Sequence, residues 1–182
     1  MPRTPGQALG FLLGFWIALW LSPLQVEIAR ADGPAACCEE LEAALHRAVL
    51  AIRSERELVP LARRPELDRV ARAHSADMAR RGYLAHETPE GLDPPGRLAR
   101  AGLRGFSLAA ENLARSDEGD PVGAIARGWL ASPDHRRNLL SPPFNATGIG
   151  IARTGGGALV ATQLYLSYPR DSSPAADGPP AP

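Results

Sequence analysis

The sequence predicts an α+β domain in which a small, mainly antiparallel sheet is flanked by helices. Three observations predict this class. Apolar residues recur at helical spacing in separate segments, two alternating apolar runs near the C-terminus are separated by three consecutive glycines, and the elements follow the order helices, strand, helices, hairpin. Packing helices on an antiparallel sheet is the economical way to bury such a pattern. A chain of 182 residues suits one domain, which we place at residues 39–168.

Two amphipathic helices are predicted in the first half of this domain. The first runs from Glu39 to about Ser54 and places an apolar stripe on one face: Leu41, Leu45, Ala48, Val49 and Ile52. The second begins near Pro65, a favourable first-turn residue, and ends at Arg81 before Gly82. His74 falls within the apolar stripe of this second helix, so we interpret it as a core histidine with one hydrogen bond and leave it out of the site.

The second half of the domain alternates short helices with strands. "DPPGRLARAG" predicts a short helix that ends at Gly102, and "FSLAAENLARS" predicts a strand. Another helix is expected from Pro121 to Ala131, followed by a short helix from Asp134 to about Leu140 with Ser132 as its N-cap. The runs "ATGIGIART" and "ALVATQLYLS" predict a hairpin closed by Gly155–Gly157.

The two ends of the chain differ in composition from the predicted domain. Residues 1–31 combine Arg3, an apolar run of about 17 residues and a closing "ARA", which is typical of a secretory signal peptide and predicts export. A membrane anchor is the alternative, but the run is shorter than the roughly 20 residues that span a bilayer. Residues 32–38 are predicted as a short linker, and residues 169–182, rich in Pro, Ser, Ala and Gly, as a disordered tail.

Cys37 and Cys38 are the only cysteines, and they are adjacent. A disulfide between neighbours is strained, because consecutive Cα atoms are closer than the usual separation in a disulfide. Reduced thiols and a dimer joined through Cys37 and Cys38 are alternatives to that bridge, and lipid attachment at Cys37 is a weaker one. In every case the fold has to be stabilised by its core.

Charge and glycine patterns exclude two classes of partner. The formal net charge is zero and no basic run occurs, so we expect no nucleic-acid partner. "GIGIARTGGG" lacks the strand, turn and helix order that holds phosphate, and a chain without lysine cannot form a Walker loop. We therefore expect no nucleotide cofactor.

Three polar residues lie where their neighbours are apolar or conformationally constrained. They are His86 in "YLAHETPEG", Glu111 in "AAENLA" and His135 in "WLASPDHRRNLL". Both histidines have a simpler interpretation: His86 could hydrogen-bond its own turn, and His135 could pack under Trp129. Asn112, beside Glu111, is expected to hold the backbone near Glu111, and Trp129 to belong to the core.

The ordered set "HSADMARRGYLAHETPEG", "AENLA", a tryptophan followed by "SPDHRRNLL", and a closing "GIGI" strand resembles the bacterial, cysteine-poor branch of the CAP superfamily. This domain is also called SCP-like or pathogenesis-related. The resemblance covers roughly Leu41 to Tyr168. It implies a three-layer α-β-α sandwich, secretion, and a central cleft in which two histidines and two acidic residues meet.

Carried over motif by motif, His86 and His135 match the two family histidines and Glu111 matches one of the two acidic residues. The second acidic position falls on Ser132, where this sequence departs from the family pattern. Asp134 and Glu87 are the nearby carboxylates that would compensate.

Two imidazoles and one carboxylate form a ligand set that suits zinc or another divalent metal and leaves a coordination position open. Alternatively, Glu111 accepts a hydrogen bond from an imidazole and fixes which nitrogen faces the metal. Both arrangements predict that metal affinity falls as the histidines protonate.

Three functions are compatible with this pattern. The leading hypothesis is an exported binding module whose cleft takes a divalent metal and a small or lipidic ligand, in contact with the cell envelope or the medium. The second is a metal-dependent hydrolase of extracellular or cell-wall substrates, with Glu111 as the candidate general base. The third is an adhesion module with a vestigial cleft, because a shared fold does not imply shared catalysis.

Overall fold

The computed structural model describes residues 34–169, and their side chains from residue 38 onward. Within this range the elements are, in chain order, α1 (Pro34–Ser54), β1 (Ala62–Arg63), α2 (Pro65–Arg81), α3 (Pro94–Arg100), β2 (Leu108–Ser116), α4 (Pro121–Ala131), α5 (Pro133–Leu139), β3 (Ala146–Arg153) and β4 (Leu159–Ser167). The predicted order of helices, strand, helices and hairpin is confirmed.

The strands form one four-stranded sheet in the order β1-β3-β4-β2. β3 and β4 form the predicted antiparallel hairpin, and β2 pairs antiparallel with β4 along its whole length, from Leu108 opposite Ser167 to Ser116 opposite Leu159. β1 adds a parallel pairing of two residues to β3. β1 was not predicted, because a strand of two residues has no detectable periodicity.

Both faces of the central hairpin are buried, which gives the domain three layers. Alternate side chains of a strand point to opposite faces. Ile149, Ile151 and Tyr165 therefore pack into a core with residues of α1, α4 and α5, whereas Leu164 and Leu166 pack into a second core with α2 and α3. The α-β-α sandwich expected from the resemblance is confirmed.

The "GIGI" motif allows α2 to lie directly on β3. A Cβ atom on Gly148 would overlap the backbone and Cβ of Leu67, and one on Gly150 would overlap the backbone of Ala71 and Arg72. Only glycine permits this close approach. The motif that resembles a phosphate loop is thus a helix-packing surface.

Buried carboxylates occupy the edge of β3 beyond the short β1 strand. Asp68 accepts a hydrogen bond from the Ile149 N–H at 2.8 Å, and Glu42 accepts one from the Ile151 N–H at 3.1 Å. Glu42, which is fully buried, also pairs with Arg63 and Arg72. These side chains accept hydrogen bonds from backbone N–H groups of β3 that a longer β1 strand would have paired.

The boundaries of the domain need one correction. We predicted that the first helix begins at Glu39, but α1 begins at Pro34, so residues 34–38 of the predicted linker are helical. "PAACC" has no helical stripe of large apolar residues that would have revealed this turn. The predicted signal peptide and residues 170–182 of the predicted tail lie outside the described residues. No helix in the described range is long and apolar enough to cross a membrane.

Most of the other local predictions are confirmed. α4 has the predicted limits, and α5 begins one residue earlier than expected. His74 is buried, and its Nε2 lies 3.0 Å from the carbonyl oxygen of Ala85, as expected for a core histidine with one hydrogen bond. Trp129 is also buried, and its indole N–H donates to the carbonyl of Leu113.

Replacing Gly150 by alanine should destabilise the domain by about 1–3 kcal/mol or more, because the added methyl group would force α2 away from β3. Chemical denaturation with urea measures this difference. Gly155→Ala in the hairpin turn is the matched control, since a Cβ there meets nothing within 4 Å. Equal stability of the two variants would refute the packing role of Gly150.

Candidate functional site

Glu111 is the buried acidic residue of the candidate site. It lies on β2, an edge strand of the sheet, and its residue is only 6% exposed. Its Oε1 lies 2.8 Å from Nδ1 of His86, and its Oε2 accepts a hydrogen bond of 2.6 Å from Nη2 of Arg97. Both carboxylate oxygens are therefore engaged by side chains from other elements.

Arg97 connects this carboxylate to the turn that carries His86. The side chain belongs to α3 and is buried, and its Nη1 donates to the backbone carbonyls of His86 at 2.7 Å and Leu92 at 3.0 Å. One guanidinium group thus holds both Glu111 and the His86 backbone. Arg97 was not predicted as a site residue, because nothing in the sequence separates it from its exposed neighbours Arg100 and Arg104.

The contact with Glu111 selects a tautomer of His86. A carboxylate accepts hydrogen bonds, so Nδ1 carries the proton that it donates to Oε1. In the neutral ring, the lone pair then lies on Nε2, on the far side of the imidazole from Glu111. The side chain is 53% exposed. His86 therefore presents a ligand nitrogen away from the core.

Asn112 holds the second half of the site on the opposite face of β2. Its Nδ2 donates to the backbone carbonyl of His135 at 3.0 Å and to the hydroxyl of Tyr165 at 3.2 Å. Its Oδ1 accepts from Asn138 at 2.9 Å, and Asn138 also donates to the Glu111 carbonyl. Asn112 thus ties β2 to α5 and β4, whereas the backbone carbonyl of Glu111 is held by Asn138.

A second buried arginine supports the end of α5. Arg53, at the C-terminus of α1, donates to the carbonyls of Leu139 and Ser141, and also to those of Val59 and Phe144. Burial lowers the pKa of its guanidinium from the ordinary value. These carbonyl acceptors take the place of a carboxylate partner and fix the helix that carries His135.

His135 is half-buried at the start of α5, and its pKa is lowered. Burial is the main cause, and the charge of His86 lowers the pKa further, while Asp134 opposes both. A lowered pKa keeps His135 in the neutral form that binds metals.

The candidates for the second acidic position of the family are Ser132, Asp134 and Glu87. Ser132 occupies the N-cap position of α5, as predicted, but its side chain makes no capping hydrogen bond. Asp134 is exposed and pairs with Arg137 at 2.9 Å on its own helix. Glu87 is exposed, and its Oε1 lies over Gly91 of the same turn. Neither carboxylate replaces the second family acid through a contact with His86 or His135.

Two imidazoles are the candidate metal donors of this site. His86 Nε2 and the ring of His135 are the candidate ligands, and water or a bound molecule would complete the coordination of zinc or a similar ion. Within residues 38–169, no group of three or more His, Cys, Asp or Glu side chains has an arrangement suited to a metal. The contact of Glu111 Oε1 with Nδ1 holds the His86 ring; its role toward a metal stays a prediction.

Solved structures reproduce this architecture. An extracellular protein containing an SCP domain from Bacillus anthracis superposes with a TM-score of 0.66 at 30% identity, covering 75% of this chain and 43% of that one. An outer surface protein from Borrelia burgdorferi superposes with a TM-score of 0.65 at 21% identity, covering 72% of this chain and 95% of that one. The second likeness concerns the fold alone.

Sequence relatives are known from Bacillus subtilis. The uncharacterized protein YkwD is 30% identical over 103 residues, which are 57% of this chain and 39% of YkwD. The uncharacterized membrane protein YlbC is 34% identical over 84 residues, which are 46% of this chain and 23% of YlbC. The matched part thus spans about two fifths or less of these relatives. The model of the CAP, or cysteine-rich secretory protein, family matches residues 46–165, and the chain belongs to this family.

Proposed function

We propose that this protein is an exported binding module whose cleft, formed by His86 and His135, binds a divalent metal such as zinc. The observation that carries the proposal is the chain of contacts from Arg97 through Glu111 to His86. It fixes the His86 tautomer with Nε2 available, while His135 stays neutral because its pKa is lowered. A metal bound there would act as a Lewis acid toward a ligand at an open coordination position.

A small or lipidic ligand is the proposed occupant of that open position. Two protein ligands leave at least two positions of a tetrahedral ion for other donors. His86 is more than half exposed, so a ligand reaches its Nε2 from solvent.

The contacts of Glu111 favour binding over hydrolysis. A general base must accept a proton from a metal-bound water. Oε1 and Oε2 of Glu111 already accept hydrogen bonds from His86 and Arg97, and the ion pair with Arg97 stabilises the charged carboxylate. We therefore assign Glu111 an orienting role.

Export is part of the same proposal. It is supported by the apolar segment and small-residue end of residues 1–31. The family description refers to secretory proteins, and the Bacillus anthracis relative is described as extracellular.

Zinc should bind the purified protein, and a His86→Ala, His135→Ala double variant should lose that binding. Isothermal titration at neutral pH measures the heats. His46→Gln is the control, because the His46 ring is hydrogen-bonded to the Leu61 carbonyl and belongs to α1. Affinity should also fall on acidification, since protonated imidazoles do not bind metal. Identical heats for the wild type and the double variant would refute the site.

Arg97→Lys should weaken zinc binding by roughly 10–100-fold, because a lysine cannot hold the Glu111 carboxylate and two carbonyls in one plane. The same variant should lose about 3 kcal/mol of stability by leaving a buried charge poorly paired. Titration and urea denaturation measure the two effects separately. Arg100→Lys, on the exposed face of the same helix, should change neither. Unchanged zinc affinity in Arg97→Lys would contradict the orienting role.

A further inference from the structure

The turn that carries His86 has no regular secondary structure. Residues 82–93, between α2 and α3, form neither helix nor strand, so no ladder of backbone hydrogen bonds fixes the direction of the His86 side chain. The ring nevertheless meets Glu111 at 2.8 Å, although more than half of the side chain is exposed. Contacts from outside the turn therefore hold its backbone.

Two buried side chains hold the carbonyl groups on either side of the His86 Cα. Nε2 of His74, on α2, lies 3.0 Å from the Ala85 carbonyl oxygen, and Nη1 of Arg97, on α3, donates to the His86 carbonyl at 2.7 Å. His74 and Arg97 are 2% and 8% exposed, so both donors are themselves fixed by the packing around them. Two helices thus hold the turn at consecutive residues.

These two contacts fix the backbone conformation at His86. The Ala85 carbonyl belongs to the planar peptide unit that ends at the His86 Cα, and the His86 carbonyl belongs to the next unit. Only φ and ψ of His86 relate the two planes. Holding both carbonyls therefore fixes both angles, and with them the direction in which the His86 Cβ leaves the backbone.

His74 donates its hydrogen bond as a neutral ring. A carbonyl only accepts, so Nε2 of His74 carries the proton. Burial lowers the pKa of His74, and the charge of Arg97 lowers it further. Nδ1 of His74 has no hydrogen-bond partner among the described residues, so the contact with Ala85 is the hydrogen bond that a substitution of this buried ring has to reproduce.

We propose that His74 is a positioning residue of the histidine cleft, which holds the Ala85 carbonyl so that His86 meets Glu111 through Nδ1. Arg97 holds the other side of His86 and also binds Glu111 directly, whereas the hydrogen bond of His74 reaches the site only through the backbone. The effect of His74 on metal affinity rests on the proposed function, but its effect on the orientation of the His86 ring does not.

Two further contacts join α2 to the same turn but lie farther from His86 along the chain. The Tyr83 hydroxyl donates to Asp77 at 2.7 Å, and Arg81 pairs with Glu90 at 2.6 Å. Glu90 is largely exposed, and exposed ion pairs contribute little. Neither contact holds a peptide plane next to His86, so Glu90 provides a control within the turn.

The tautomer of His86 in the metal-free protein tests the positioning role. His74→Leu removes the donor, and long-range proton–nitrogen NMR correlations should then show His86 as a mixture of tautomers instead of protonated on Nδ1 alone. His74→Gln should keep the single tautomer, because its side-chain amide donates from about the position of Nε2. If the leucine variant does not fold, His74→Asn replaces it, since its shorter amide does not reach the Ala85 carbonyl.

Two outcomes would overturn the proposal. One is a mixture of His86 tautomers in a folded His74→Gln variant. The other is a single Nδ1 tautomer in a folded variant that lacks the donor. His46→Leu is the matched control, because His46 Nε2 makes the same kind of contact, at 3.0 Å, with the Leu61 carbonyl. It should lose stability in urea without changing the His86 tautomer, and Glu90→Gln should also leave that tautomer unchanged.

Zinc titration separates positioning from metal binding. His74→Leu should weaken zinc binding by roughly 10–100-fold, the range for losing a group that orients a ligating imidazole, and His74→Gln should bind as the wild type does. An equal loss of affinity in His46→Leu would attribute the effect to general destabilisation and contradict the proposal. A wild type that binds no zinc, with a His86 tautomer that still responds to His74, would refute the metal site and support the positioning role.

Discussion

The candidate site depends on one buried carboxylate. Glu111 accepts from Arg97 on one oxygen and from His86 on the other, and its side chain is almost inaccessible to solvent. An uncompensated charge at this depth would be costly, so the arginine and the imidazole are held where the carboxylate requires them. The same contact chooses the His86 nitrogen that faces outward. The buried charge thereby fixes the orientation of an exposed imidazole.

The edge strand β2 contacts both segments that carry the candidate histidines, the His86 turn and α5. Glu111 and Asn112 are consecutive, so their side chains leave opposite faces of the strand. Glu111 reaches Arg97 and the His86 turn, while Asn112 reaches the His135 backbone on α5. The strand is held in register by β4, whose faces are both buried. The geometry of the cleft therefore follows from the packing of the whole sheet.

Much of this arrangement is readable from the sequence. Helical stripes and the glycine-separated hairpin predict the layers. The motifs around His86, Glu111 and His135 supply the candidate site residues, of which the fold brings His86 and Glu111 into direct contact. The buried charges are not readable in this way. The sequence does not distinguish Arg97, Arg53 and Glu42 from surface residues. Only the fold shows that all three are buried, with carbonyl or carboxylate partners for the two arginines and arginine partners for Glu42. β1 cannot be predicted from the sequence, because it pairs over only two residues and its partner, β3, is distant along the chain.

The tautomer of His86 is the most direct test of this account. Long-range proton–nitrogen NMR correlations of the imidazoles at neutral pH distinguish a proton on Nδ1 from one on Nε2. The contacts of Glu111 predict that His86 carries its proton on Nδ1, and that the Nε2 resonance shifts when zinc is added. A His86 protonated on Nε2, with Nδ1 unaffected by replacing Glu111 with glutamine, would contradict it.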